Sequence, residues 1–128
     1  MATFTTNLVI YTHTDFEQTF LLEDNQSNSA KDLTGFTATC RMARSLNRAS
    51  GGVRSFNVSF TNRLLGKIRI GMTAAETAQH PPDKYFYELM LTDPDGKVEK
   101  VIEGIAIVKQ PVTWPSPPPE NPFDEQVP

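Results

Sequence analysis

The stretch Tyr85-Phe-Tyr-Glu-Leu-Met-Leu-Thr-Asp-Pro-Asp-Gly-Lys-Val-Glu-Lys-Val-Ile-Glu-Gly-Ile-Ala-Ile-Val108 has the pattern of a β-hairpin. Its first arm alternates with period two, which predicts a strand with one apolar face formed by Tyr85, Tyr87, Leu89 and Leu91. Asp93-Pro-Asp-Gly96 predicts the turn, because proline pre-sets φ and glycine accepts φ > 0. The second arm is rich in β-branched residues. Gly104 interrupts this arm and predicts a bulge or a close approach of another backbone segment.

Five further segments have strand-like alternation of apolar and polar residues. They are residues 4–11, 16–22, 36–43, 55–60 and 64–72. Together with the hairpin they give about seven strands at short, regular spacing, which is the pattern of a β-sandwich. Thr73-Ala-Ala-Glu76 matches a capping box, so one short helix of about two turns is expected before Pro81-Pro82.

The composition changes at Pro111, so we predict a domain over residues 1–110 and an extended arm over residues 111–128. The arm holds seven of the ten prolines, which cannot donate to a sheet ladder and favour polyproline II. We expect this arm to pack on another subunit; a disordered end is the alternative. The candidate partner-binding residues are Pro111, Trp114, Pro117, Pro118, Pro119 and Phe123.

The overall composition describes one domain with a single core, at 128 residues and a formal charge of −3. The absence of a basic excess argues against a dedicated nucleic-acid-binding protein. The single cysteine, Cys40, excludes an intramolecular disulfide, and its place in an alternating strand predicts a buried thiol. The sequence shows neither a secretory leader nor an apolar run long enough to span a bilayer. We therefore expect synthesis in a cytoplasm and no membrane partner.

No catalytic or metal-binding motif is recognisable in the sequence. The carboxylates are scattered, and His13 and His80 lie far apart without the spacing of a metal site. Asp93-Pro-Asp-Gly96 lacks the remaining ligands of a calcium loop and is interpreted as a turn. We therefore expect no enzymatic activity, no cofactor, no metal and no small-molecule substrate.

Several blocks of the sequence together resemble a family of viral proteins. They are Asp15–Phe20, Asp32–Met42, Gly66–Thr77, Lys84–Gly96 and Val101–Val108. In their order they resemble immunoglobulin-like domains of tailed-bacteriophage structural proteins, and they are similar to the amino-terminal domain of upper baseplate proteins and to short virion proteins of cyanophages. The resemblance covers about residues 8–110.

This resemblance implies an immunoglobulin-like antiparallel β-sandwich located in the virion. It implies a role as a tail, baseplate or fibre adaptor, or as a decoration of the capsid surface, in an oligomeric assembly with other virion proteins. The chain ends in the proline-rich arm where a baseplate protein of this type continues, which favours an adaptor or decoration role. The alternative is a carbohydrate- or host-surface-binding module of the virion; the predicted loops offer few aromatic residues for it.

Overall fold

The computed structural model describes residues 3–24, 29–44 and 53–112 of the chain. These residues form an all-β sandwich with one short helix, which confirms the predicted fold class. The strands are β1 (Phe4–Thr5), β2 (Leu8–Tyr11), β3 (Phe16–Leu21), β4 (Glu23–Asp24), β5 (Ser29–Ala30), β6 (Thr37–Ala43), β7 (Arg54–Ser55), β8 (Asn57–Asn62), β9 (Lys67–Met72), β10 (Asp83–Thr92) and β11 (Val98–Lys109). The helix α1 (Ala74–Thr77) lies between β9 and β10.

Two sheets pack against each other and bury one core. In sheet A, β1 and β2 each pair with β11. From β11 the strand order continues through β10 and β6 to β7. Sheet B has the order β3-β9-β8, and β4 pairs with β5 in a small separate hairpin. The ring of Phe56 lies between the two sheets, 6.1 Å from the ring of Phe16 and 6.3 Å from that of Tyr87.

The β10–β11 hairpin is the centre of sheet A. Its predicted buried face is confirmed, because Tyr85, Tyr87, Leu89 and Leu91 are all less than 4% exposed. The predicted turn also forms: the Gly96 amide donates to the Asp93 carbonyl, and Gly96 has a φ of 91°. The Asp93 carboxylate accepts the amides of Asp95 and Lys97, so backbone groups occupy it.

The bulge in the second arm lies at Val101 and not at Gly104. The register shifts between Leu89 and Met90, so that Leu89 faces Ile102 while Met90 faces Lys100. Val101 is therefore the extra residue, and it is buried together with its neighbour Ile102. Gly104 provides the predicted close backbone approach instead, because a Cβ there would lie 1.9 Å from the carbonyl oxygen of Thr6.

The first predicted strand, residues 4–11, runs parallel to β11 and not antiparallel. It is also interrupted: β1 and β2 are separated at Thr6 and Asn7, where the chain passes Gly104. The hydroxyl of Tyr87 donates to the Thr6 carbonyl at 2.6 Å, and the Asn7 side chain accepts the amide of Ile105. Side chains thus satisfy the backbone groups that the interrupted ladder leaves unpaired.

The fourth predicted strand, residues 55–60, passes from one sheet to the other. Arg54–Ser55 pairs with β6 in sheet A, whereas Asn57–Asn62 pairs with β9 in sheet B. Phe56 lies at the crossing, where its amide donates to the carbonyl of Cys40 and its side chain is buried. A local period-two pattern cannot distinguish such a crossing from a continuous strand.

Capping residues explain the short elements next to sheet B. The capping box is confirmed, since Thr73 accepts the Glu76 amide and the Glu76 carboxylate accepts the Thr73 amide. Helix α1 is only four residues long, shorter than the expected two turns. The predicted fifth strand starts at Lys67 and not at residue 64, because Arg63–Leu65 forms a 3₁₀ turn capped by Asn62.

The close approach at Gly104 makes a substitution there costly. Gly104→Ala places a Cβ against the Thr6 carbonyl, and because this is backbone, the N-terminal strand must move. We expect a loss of roughly 2–3 kcal/mol in the free energy of unfolding, measured by urea titration. The control is Gly96→Ala, where the Cβ meets no atom and only the positive φ opposes it, at a cost of about 1 kcal/mol. An equal or smaller loss at Gly104 would contradict the assigned approach.

Candidate functional site

The outer face of sheet A is the most unusual surface among the described residues. We define it by the outward side chains of its strands, which the register places side by side. Its apolar part consists of Val9, Tyr11, Ala43, Phe86, Ile105 and Ile107. Val9, Tyr11 and Ile107 are 47%, 45% and 38% exposed. The solvent face of an antiparallel sheet is normally polar, so a cluster of this kind indicates a contact surface.

The outer face of sheet B shows the ordinary pattern. Its outward residues follow from the pairing of β3, β9 and β8, and they are Glu17, Thr19, Leu21, Asn57, Ser59, Lys67 and Arg69. Leu21 is the large apolar residue among them, at the end of β3. The two outer faces of the sandwich therefore differ in chemistry.

A concavity of about 350 Å³ lies within the outer face of sheet A. Its apolar wall includes Val53, Phe86 and Ile105, and its polar wall includes Arg41 and Glu103. The Lys84 ammonium lies 5.7 Å from the centre of the Phe86 ring, so this aromatic surface carries a neighbouring positive charge. An aromatic or proline side chain would match the apolar wall, and a carboxylate beside it would have to approach the Arg41 guanidinium and not Glu103.

Charged residues form a row next to the apolar part of the outer face of sheet A. Lys100 pairs with Glu88 at 3.4 Å and with Glu103 at 3.3 Å. The hydrogen bond that the Lys100 ammonium donates to Glu103 is the main cause that raises its pKa, and the bond it donates to Glu88 adds to this effect. Arg41 lies opposite Glu88 in the register and is exposed. Exposed pairs of this type add little stability, so the row contributes mainly to the electrostatic character of the surface.

Of the six candidate residues of the arm, Pro111 is the one within the described residues. Pro111 follows β11 and is half-buried. Trp114, Pro117, Pro118, Pro119 and Phe123 lie outside the described residues, so their role as partner contacts stays a prediction.

The sequence analysis missed the outer face of sheet A as a site. The alternation along β10 already placed Phe86 on the strand face that points away from the core. It did not show which residues of the neighbouring strands lie beside Phe86. Only the register joins Phe86 to Ile105 and Ala43, and Ile107 to Val9. The β-branched content of the second arm was the available signal, since it leaves apolar side chains on both faces of β11.

Reactive side chains are held inert or apart within residues 3–24, 29–44 and 53–112. In these ranges no three His, Cys, Asp or Glu residues form a group that could hold a metal ion. Burial raises the pKa of the Cys40 thiol to about 12, with a further contribution from the Glu88 charge. Burial likewise raises the pKa of Tyr87, whose hydroxyl donates to Thr6. The same ranges contain no helix that could cross a membrane, since α1 is a single turn.

His80 is a buried imidazole at the end of the core, beside the ring of Tyr85. Its Nδ1 atom is buried without a hydrogen-bond partner. Burial lowers the pKa of His80, and the nearby Arg54 guanidinium lowers it further, whereas Glu76 acts in the opposite direction. No pattern in the sequence indicated that the ring of His80 would be buried.

Comparison with known proteins leaves the family of this chain open: no protein-family model matches it, and no curated protein is significantly similar.

The burial of Cys40 predicts an unreactive thiol in the folded protein. With a pKa near 12, its thiolate fraction at pH 8 is roughly a thousandfold below that of an unfolded cysteine. We expect a disulfide reagent such as Ellman's reagent to label no thiol in buffer and one thiol per chain in guanidinium chloride. Rapid labelling of the folded protein would contradict this assignment.

The burial of His80 predicts a loss of stability in mild acid. Its folded pKa lies below the unfolded value of about 6.5, so below that pH the unfolded chain binds more protons. The contribution of His80 is complete above pH 6.5 and is lost as the pH falls through the folded pKa. Urea titrations between pH 5.5 and 7.5 measure this slope. We expect His80→Gln to reduce it and the control His13→Gln to retain it; equal slopes in all three proteins would contradict the prediction.

Proposed function

We propose that the chain is a non-enzymatic structural protein of a tailed-phage virion. In this proposal it binds other virion proteins through the outer face of sheet A, free sheet edges and the C-terminal arm. The observation that carries the proposal is the contrast between the two outer faces of the sandwich: that of sheet A combines an apolar cluster with charged residues, whereas that of sheet B is polar apart from Leu21. The phage setting rests on the sequence resemblance.

The free edges offer a second type of contact. β3 and β8 are the edge strands of sheet B, each six residues long. An extended segment of a neighbour can add to such an edge by backbone hydrogen bonds. In a symmetric particle many copies act together, so weak contacts of each copy sum to firm attachment. This supports an adaptor in the tail or baseplate, or a decoration of the head.

Mass spectrometry of separated heads and tails from purified virions tests the proposal. High copy number in the head fraction would identify a decoration protein, and low copy number in the tail fraction would identify a baseplate or fibre adaptor. Either result supports a virion role. Absence from both fractions would contradict it.

Deletion of residues 111–128 tests the role of the arm within the proposed function. We expect the shortened chain to remain folded, because every core residue of the described structure precedes the arm. We expect it to lose incorporation into particles, measured by its copy number in virions. Circular dichroism and thermal melting provide the control for folding. Unchanged incorporation of the folded, shortened chain would contradict a role of the arm in assembly.

A further inference from the structure

We propose that the outer face of sheet A binds the C-terminal arm, residues 113–128, of a second copy of this chain. The inference deepens the proposed function, on which its biological setting rests, by naming the surface that receives the arm. It depends on the charge of the two partners, on their apolar groups and lengths, and on the direction in which the chain leaves the domain.

The charges of the arm and the face are complementary. All twelve basic residues and twelve of the fifteen acidic residues lie within residues 1–110. The remaining acidic residues, Glu120, Asp124 and Glu125, lie in the arm, so the arm carries the whole net charge of −3. On the outer face of sheet A, four basic residues outnumber two acidic ones. They are Arg41, Lys84, Lys100 and Lys109 against Glu88 and Glu103.

The apolar groups of the arm also match the face. Trp114 and Phe123 are its large apolar residues, and the face offers the concavity beside Phe86 and Ile105. A proline-rich segment lacks amide donors for a ladder, so it binds through side chains laid across a surface. The strands of sheet A present such a surface, because their ladders are already formed within the sheet.

The spacing of the two aromatic residues fits the length of the face. Nine residue steps separate Trp114 from Phe123, which is about 28 Å at the polyproline II rise of about 3.1 Å. Val98 and Lys109 mark the two ends of the face along β11, eleven steps apart and about 36 Å in a strand, which is long enough to hold both aromatic residues. An extended arm can therefore place one aromatic residue near each end of the face.

The described end of the chain favours a neighbour, and not its own domain, as the receiver of the arm. Strand β11 lies between β2 and β10, so the chain leaves from the interior of sheet A. Val112 is fully exposed, which indicates that the chain points into solvent after β11. These features favour contact with a second copy.

Trp114 provides a direct probe, because it is the only tryptophan of the chain. The full-length protein is diluted over a wide concentration range, and the emission maximum and acrylamide quenching of Trp114 are recorded. Light scattering after size exclusion measures the mass at the same concentrations. We expect an exposed tryptophan in the dilute monomer and a shielded, blue-shifted one as the mass rises, with a common midpoint.

Two substitutions on the outer face of sheet A test the surface. Ile107→Asp removes an exposed apolar contact, and Arg41→Glu reverses a charge; we expect each to raise the midpoint at least tenfold. The matched controls on the outer face of sheet B are Leu21→Asp and Arg69→Glu, with midpoints expected within twofold of the unmodified chain. Thermal melting checks that every variant is folded.

Three outcomes would overturn the inference. A shielded Trp114 in the monomer at every concentration would place the arm on its own domain. A rise in mass with Trp114 still exposed would assign assembly to another surface, and a chain that stays monomeric with an exposed Trp114 would remove the contact. If the chain is nevertheless found in virion fractions, the proposed function stands and only the arm contact fails. If the chain is absent from virions but the arm contact is observed, the arm contact stands and the proposed function fails.

Discussion

The passage of Thr6 over Gly104 is the constraint on which sheet A depends. The N-terminal chain approaches β11 so closely at this point that no side chain fits on residue 104. The Tyr87 hydroxyl holds the Thr6 carbonyl, and the Asn7 side chain holds the amide of Ile105. A net contribution of about 1 kcal/mol per hydrogen bond is typical, but loss of either partner would leave a backbone group unpaired, which costs more. These contacts align β1 and β2 with β11.

This alignment creates the surface that we interpret as functional. Because β2 lies parallel to β11, Val9 lies beside Ile107, and the apolar part of the outer face extends to the edge of the sheet. The inward residues of the same strands, Leu8 and Ile10, close the core. The same strand pairing therefore stabilises the domain on one side and exposes apolar groups on the other. An exposed apolar cluster of this kind lowers the solubility of a free protein. In a protein that belongs to a particle, such a cluster is a contact surface for a neighbouring subunit.

Local features of the fold were predictable from the sequence, whereas long-range ones were not. Period-two alternation, Pro94-Asp-Gly96 and the Thr73–Glu76 pair each encode a structure within a few residues, and each is confirmed. The parallel pairing of residues 4–11 and the crossing at Phe56 depend on partners distant in the chain. Of the two alternatives predicted for Gly104, the close backbone approach is confirmed, and the bulge lies at Val101, which no local signal marked.

The candidate site shows the same division between local features, which the sequence predicts, and long-range features, which it does not. The apolar residues of β11 were visible in the sequence, but their neighbours on the outer face were set by register alone. The arm residues Trp114 and Phe123 were selected from composition, and they stay predictions. The sequence resemblance suggested a virion, while the contrast between the two sheet faces is a property of the structure.

Hydroxyl-radical footprinting of intact virions, compared with the free chain, tests the central claim most directly. The account predicts that labelling of Tyr11, Phe86 and Ile107 on the outer face of sheet A falls on assembly. Leu64, which is 67% exposed in the 3₁₀ turn between β8 and β9, should keep its labelling and serves as an internal control. Unchanged labelling of the outer face of sheet A, or protection confined to sheet B, would contradict the account.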